Sequence, residues 1–267
     1  MTNAARGIVF GLIAVWCGCN VEKGKSTNAE RDRVTQFSII NALMLGQYDG
    51  VTTIEQVLEA GDFGVGTFDH LDGELIVLDG KVYQGLADGK VREAAATMTT
   101  PFAVVTQFDR DGTLPCPAVS SLNELDAKID SALPGQSVFY AIRVDGKFAS
   151  LTLRSVPRQE PPYRPLVEVA KQQSMWTHEN VSGTMIGMRS PPWTDKLNVP
   201  GYHWHFVSDD RQMGGHVIDC KIESATITYD ECDSWLIKLP GSQALQAGDL
   251  NQDLSRELKE VESKRER

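Results

Sequence analysis

The sequence predicts an α/β chain of the α+β type in two domains, a mixed β-sheet domain followed by a mainly antiparallel one, with a helix at the C-terminus. Runs rich in β-branched and aromatic residues recur along the chain, often about Asp-Gly pairs. Short helices with recognisable caps interrupt them, and a proline-rich stretch divides the chain near residue 160. At 267 residues, with 41% hydrophobic and 23% charged side chains, the chain can build one large core or two modest ones.

Residues 1–33 are a different material. Arg6 precedes an apolar run from Gly7 to Trp16, followed by small and polar residues, which is the plan of a signal peptide and linker. The run is too short to span a bilayer as a mature helix. The expectation is therefore an exported protein, periplasmic, extracellular or lipid-anchored, without a spanning segment when mature. Cys19 after Gly18 is similar to a lipoprotein cleavage site and would carry the anchor. The alternative is a cytoplasmic protein with a weakly apolar N-terminus.

The first domain is expected over residues 34–160. QFSIINALMLGQYDGVTTIEQVL (36–58) reads as a short apolar helix, a turn at Asp49-Gly50 and a second helix capped by Thr52 or Thr53. ELIVLDGKVYQGL (74–86) is a hairpin signal about Asp79-Gly80, and PFAVVTQF (101–108) a further strand. SSLNELDAKIDSAL (120–133) is a capped helix, and SVFYAIRVDGKFASLTLRSV (137–156) predicts a second hairpin about Asp145-Gly146. PRQEPPYRPL (157–166) carries four prolines, resists helix and central strand alike, and reads as a linker.

The second domain, residues 161–267, is expected to hold the strands SGTMIGMRS, HVIDCKI, ATITYD and WLIKLP in an antiparallel sheet. Its tail, LNQDLSRELKEVESKRER (250–267), repeats apolar residues at Leu250, Leu254, Leu258 and Val261, an amphipathic helical stripe. Glu262, four residues after Leu258, falls on or beside that stripe, where a carboxylate needs a partner.

The densest chemical signal is GYHWHFVSDDRQMGGH (201–216), which holds three of the five histidines. His203 and His205 are two apart, so an extended strand puts both imidazoles on one face. Asp209-Asp210 and Gly214-Gly215 read as a turn whose return would bring His216 back towards them. Three neutral imidazoles bind Zn²⁺ or a similar divalent first-row ion while leaving coordination positions open, as catalytic sites do.

Other groups converge less obviously. Glu74 shares a strand face with Ile76 and Leu78, where burying a carboxylate is costly unless a cation or donors meet it. Thr67 lies in a glycine-flanked segment that permits close approach of a ligand. Arg143 and Arg154 are both candidate anion clamps, and spacing does not choose between them. His70 and His178 are unaccompanied and read as surface or packing residues.

Several classes are excluded or unsupported. A net charge of −10 argues against nucleic acid as a partner. Five cysteines, an odd number without C-x-x-C spacing, give no disulfide framework, and Cys220, which shares strand parity with His216, reads as a buried structural thiol. No nucleophile elbow, P-loop or dinucleotide fingerprint occurs.

FSIINALMLGQYDG, GDFGVGTFDHLDGEL, TPFAVV, NVPGYHWHFVSDDRQMGGHV and the closing VES, in this order, resemble the α-acetolactate decarboxylases from about Gln36 to the C-terminus. The resemblance implies that His203, His205 and His216 hold a zinc ion. It also implies that Glu74 and Glu262 are the family's two active-site glutamates, Arg154 its arginine and Thr67 a site-lining threonine. The tail helix would then close the site, and the protein would be a homodimer. Trp204 stands where the family commonly has leucine.

The implied reaction is loss of CO₂ from (2S)-2-hydroxy-2-methyl-3-oxobutanoate to give (R)-acetoin, as in acetoin and butanediol biosynthesis. Its difficulty is the electron pair left at C2, which a dication chelated by the substrate ketone and hydroxyl would stabilise. Arg154 would orient the carboxylate, and Glu74 or Glu262 would deliver the proton. Two other readings stand beside it. A cupin-like metal oxygenase also uses H-x-H on a strand, but Phe206, Val207 and Ser208 stand where its glutamate is expected. An exported non-catalytic metal- or ligand-binding β-protein would leave Glu74, Arg154 and Glu262 far from the histidines.

Overall fold

The computed structural model of the chain describes residue 1 and residues 32–241 and 248–262. The expected leader, with Cys19, lies outside the described residues apart from its ends. The order begins with β1 (Arg33–Phe37), α1 (Ile40–Met44), β2 (Thr52–Thr53), α2 (Ile54–Ala60) and β3 (Phe63–Thr67). A 3₁₀ turn, Asp69–Leu71, leads to β4 (Glu74–Leu78), β5 (Lys81–Gly85), β6 (Val91–Glu93), β7 (Thr99–Thr100), β8 (Phe102–Thr106) and β9 (Gly112–Cys116). Then come α3 (Leu122–Ala132), β10 (Phe139–Ser155), α4 (Leu166–Val169), β11 (Ser174–Ser190), β12 (Gly201–Ser208), β13 (Gly214–Cys232), β14 (Ser234–Lys238) and α5 (Ser255–Glu262).

The first large sheet has seven strands in the order β14-β1-β8-β3-β4-β5-β6, and it is mixed because β14 joins β1 in parallel while its other pairs are antiparallel. The second has five antiparallel strands, β10-β11-β12-β13-β9, and β13 also pairs with β10. β10, β11, β12 and β13 therefore close into a ring. The sheet types agree with the sequence reading.

Local chemistry explains the elements near the site. α2 starts where Thr53 Oγ1 accepts the Gln56 N–H and the Gln56 side chain accepts the Thr53 N–H, a reciprocal capping box. α3 is capped by Ser121, whose hydroxyl accepts the Glu124 N–H, and it buries Leu125 and Ile129 against the ring. Asp79 and Gly80, both at positive φ, make the tight turn between β4 and β5.

Alternation then sorts the side chains. Ile76 and Leu78 of β4 join Phe102 and Val104 of β8 and Ile186, Met188 and Val207 of the second sheet in one core between the sheets. Leu75 and Val77 point the other way, towards Ile54 and Val57 of α2. Burial of each such side chain contributes roughly 1.5–3 kcal/mol.

The structure corrects four readings. Asp145-Gly146 is not a turn: β10 runs unbroken through it, with Gly146 opposite both Gly183 and Ala225. A Cβ at Gly146 would collide with the backbone of Ser224, so the glycine serves close strand packing. Gly214 and Gly215 likewise lie within β13, paired with Val207 and Phe206, and residues 209–213 make the turn instead. A Cβ at Gly214 would stand 2.6 Å from the Phe206 carbonyl oxygen and 2.8 Å from Val91 Cγ2, so the glycine again serves close packing.

The proline-rich stretch does not separate the sheets. β10 before it shares a ring with β11–β13 after it, and β14 returns to the first sheet, so the division expected near residue 160 does not follow the strand pairing. Nor is the stretch a free linker. Tyr163 Oη bonds Asp49 Oδ1 and His70 Nδ1, and the Tyr48 hydroxyl donates to the Arg164 carbonyl, which fastens it to the first sheet's loops.

Candidate active site

Strand pairing builds the site from two rows of cross-strand neighbours. On the second sheet His205 stands opposite His216, and His216 stands opposite Arg154, so one row crosses β12, β13 and β10. His203 shares the face of His205 by strand parity, as the spacing predicted. On the first sheet Glu74 stands opposite Thr67, and Thr67 opposite Phe102. The two sheets face each other, and α5 brings Glu262 over the gap.

The histidine ring centroids are 4.8 Å (His203–His205), 5.2 Å (His203–His216) and 5.4 Å (His205–His216) apart. Each ring offers a nitrogen to a group whose members lie within 4.8 Å of one another. Among the described residues, His203 Nδ1, His205 Nε2 and His216 Nδ1 are buried without hydrogen-bond partners. Each ring thus keeps a nitrogen free of hydrogen bonds, and three imidazoles whose ligand atoms lie together suit a divalent cation. The other nitrogen of His205, Nδ1, donates to the Leu75 carbonyl at 2.8 Å, which orients the ring and leaves Nε2 as a lone-pair donor.

Arg154 links the two glutamates. Its Nη1 lies 3.3 Å from Glu74 Oε1 and its Nη2 3.6 Å from Glu262 Oε1, and its Nε–H has no partner. The other oxygen of each glutamate faces a histidine: Glu74 Oε2 is 3.4 Å from His205 Nε2, and Glu262 Oε2 is 3.5 Å from His216 Nε2. Thr67 spends its hydroxyl on the Gly73 carbonyl at 2.9 Å, which fixes the turn entering β4 just before Glu74.

Burial sets the protonation states. It pushes Glu74 up to about 7, with Arg154 opposing and Glu262 adding to the rise, and it raises Glu262 against the pull of Arg154. Burial, reinforced by Arg154, pushes His203 down to about 3. His205 and His216 are held well below the ordinary imidazole value, chiefly by burial and then by their neighbours and Arg154. The rings are therefore neutral, the form that ligates a metal.

All seven residues singled out in the sequence, Thr67, Glu74, Arg154, His203, His205, His216 and Glu262, come together. The convergence removes the ground for a non-catalytic β-protein, which required the glutamates and arginine to lie apart from the histidines. Arg143 is excluded as the anion clamp, since it is bound by Asp79 Oδ1 at 2.6 Å and Asp145 Oδ2 at 2.7 Å. Cys220 is buried but is not part of the histidine group.

The family of proteins with this arrangement is settled by comparison. Residues 34–252 match the family model described as alpha-acetolactate decarboxylase. The chain belongs to that family. An alpha-acetolactate decarboxylase from Methanosarcina mazei is 43% identical over 236 residues, covering 88% of this chain and 82% of the relative. One from Klebsiella aerogenes is 39% identical over 246 residues, covering 92% and 95%. A crystal structure of the alpha-acetolactate decarboxylase from Bacillus subtilis strain 168 superposes with a TM-score of 0.84 at 35% identity, over 87% of this chain and all of that one. This chain is an enzyme of that carboxy-lyase family. Glu262 lies beyond the residues that the family model matches, and its place beside Arg154 and His216 stands on the geometry.

Some parts of the site were not legible. The Leu75 carbonyl that orients His205 is a backbone group with no residue signature. Asp126 of α3 accepts the Trp204 Nε1–H at 3.0 Å, holding the middle of H-x-H on the opposite side, where Trp204 stacks on Tyr202 at 5.6 Å. A second cluster, Asp49, Asp69 and His70, also places three ligand atoms together, but Tyr163 and Asp69 already occupy both nitrogens of His70. No described helix is long and apolar enough to cross a membrane.

Proposed function

We propose that the protein decarboxylates (2S)-2-acetolactate to (R)-acetoin and CO₂ with a zinc ion held by His203, His205 and His216. The observation that carries this reading is the cluster of three buried imidazoles whose ligand atoms lie within 4.8 Å of one another, beside two glutamates and one arginine. The donor set fits Zn²⁺, although another divalent first-row ion would use the same three imidazoles. Bound there, the ion would act as a Lewis acid for the negative charge that builds on the substrate oxygens as CO₂ departs.

The chain's own groups do the rest. Arg154, held between Glu74 and Glu262 with its Nε–H unspent, is positioned to receive the substrate carboxylate. Glu74 and Glu262 flank it, and burial raises both carboxyls towards the protonated form. One of them delivers the proton to C2 and so decides the hand of the product. The buried walls exclude water from the developing charge.

Residues 2–31 support export on composition alone, with Cys19 as the acceptor of a lipid anchor, and the family resemblance supports a homodimer. The deciding experiment for the reaction is incubation of the purified protein with racemic acetolactate, with and without a chelator, followed by chiral analysis of acetoin. The reading expects metal-dependent (R)-acetoin. Absence of acetoin overturns it, and oxygen consumption in its place supports a cupin-like oxygenase.

A further inference from the structure

A cavity of ≈ 40 Å³ opens beside the proposed metal site, and its lining combines two kinds of side chain. Thr67, Glu74, Arg154, His203 and Glu262 supply its polar lining, and Leu71, Phe102, Val156, Leu166 and Val261 belong to its apolar lining. All five of these apolar residues are buried. Acetolactate has the same two kinds of group: its carboxylate, hydroxyl and ketone oxygens are polar, and its two methyl groups, one on C2 and one on the ketone carbon, are apolar. Once the polar groups are committed to Arg154 and the histidine side, the two methyl groups have the apolar lining left to them, and the one on C2 is the one that 2-alkyl homologues lengthen.

We propose that this apolar lining receives the C2 alkyl substituent, and that Val261 and Leu166 set the length of chain it accepts. The proposal rests on the decarboxylase reading above. A cavity of this size has room on the order of one small alkyl group. The choice of these two walls follows from where they stand. Phe102 belongs to β8, an interior strand of the seven-stranded sheet between β1 and β3, where a change of volume disturbs two neighbours. Val261 and Leu166 instead come from two short helices, α5 and α4, the second of which starts on the last residue of the proline-rich stretch. Val261 also precedes Glu262 directly, so one turn of α5 supplies both an acidic group and the adjacent steric wall.

The test compares kcat/KM for 2-hydroxy-2-methyl-3-oxobutanoate with its 2-ethyl and 2-propyl homologues in wild type, Val261→Ala, Val261→Leu and Leu166→Val. A methylene that no longer fits a pocket costs about tenfold or more. Val261→Ala and Leu166→Val are expected to raise the propyl-to-methyl ratio about tenfold, and Val261→Leu to lower the ethyl-to-methyl ratio about tenfold. Ratios equal to wild type in all three variants, with acetoin still formed from the methyl substrate, overturn the proposal. A wild-type protein inactive on all three substrates is a different result, since it overturns the function on which the proposal rests.

Discussion

Arg154 is the cross-strand partner of His216 across β10 and β13, and its guanidinium reaches past that strand to contact both Glu74 and Glu262. An arginine so placed keeps two buried carboxylates from facing each other unscreened. Arg154→Lys keeps the charge but loses the fork, and it is expected to lower kcat by about 10–100-fold with metal retained. Arg154→Gln leaves two buried acids uncompensated and is expected to lose about 3–5 kcal/mol of stability as well. Urea unfolding alongside the acetoin assay separates the two effects.

His203→Ala removes one of three imidazoles while leaving the H-x-H strand paired to β11 through Met188. Metal retained after dialysis, measured by elemental analysis, is expected to fall from one ion per chain to less than about a tenth. The far-ultraviolet circular dichroism spectrum is expected to stay unchanged. Full activity in this variant contradicts the ligand assignment.

Glu74→Gln and Glu262→Gln are expected to keep the metal and to lose about 10²–10⁴-fold in kcat where the residue delivers the proton. The variant that also erodes the chirality of acetoin identifies the donor. Chiral chromatography of the product reads this directly.

Asp230 gives a pH prediction away from the site. It is fully buried, its Oδ1 has no partner, and burial, joined by Asp111 and Asp32, raises its carboxyl to about 7 against the Asp109 N–H bond. The folded state therefore holds the proton more tightly than the unfolded chain, whose value is near 3.8. The stability from this group is full below the unfolded value and is lost as pH rises through about 7. Asp230→Asn is expected to flatten that loss and to raise the melting temperature at pH 8 by a few degrees, on the order of 1–3 kcal/mol.

Much of this site was legible because it obeys short periods. Strand parity put His203 on the face of His205 and Glu74 on the face of Ile76, and the 3.6-residue stripe of the tail placed Glu262, four residues after Leu258, on or beside the buried side of α5. What failed was information carried by distant strands. Asp145-Gly146 has the composition of a turn, yet Gly146 is there because two strands flank β10 closely. β1 carries no clear signature of its own because RVTQF adjoins the polar end of the leader, and its strand character comes from pairing with β8 and β14. Arg143 and Arg154 were equivalent in sequence, and the carboxylates of Asp79 and Asp145 removed the first.

The most direct test is a metal titration of the apoprotein. Protein stripped with a chelator is titrated with Zn²⁺ while acetoin release from acetolactate is followed. The account predicts negligible activity at the start and a linear rise that breaks at one equivalent per chain. Full activity before any zinc is added, or a rise that His203→Ala leaves unaltered, contradicts it.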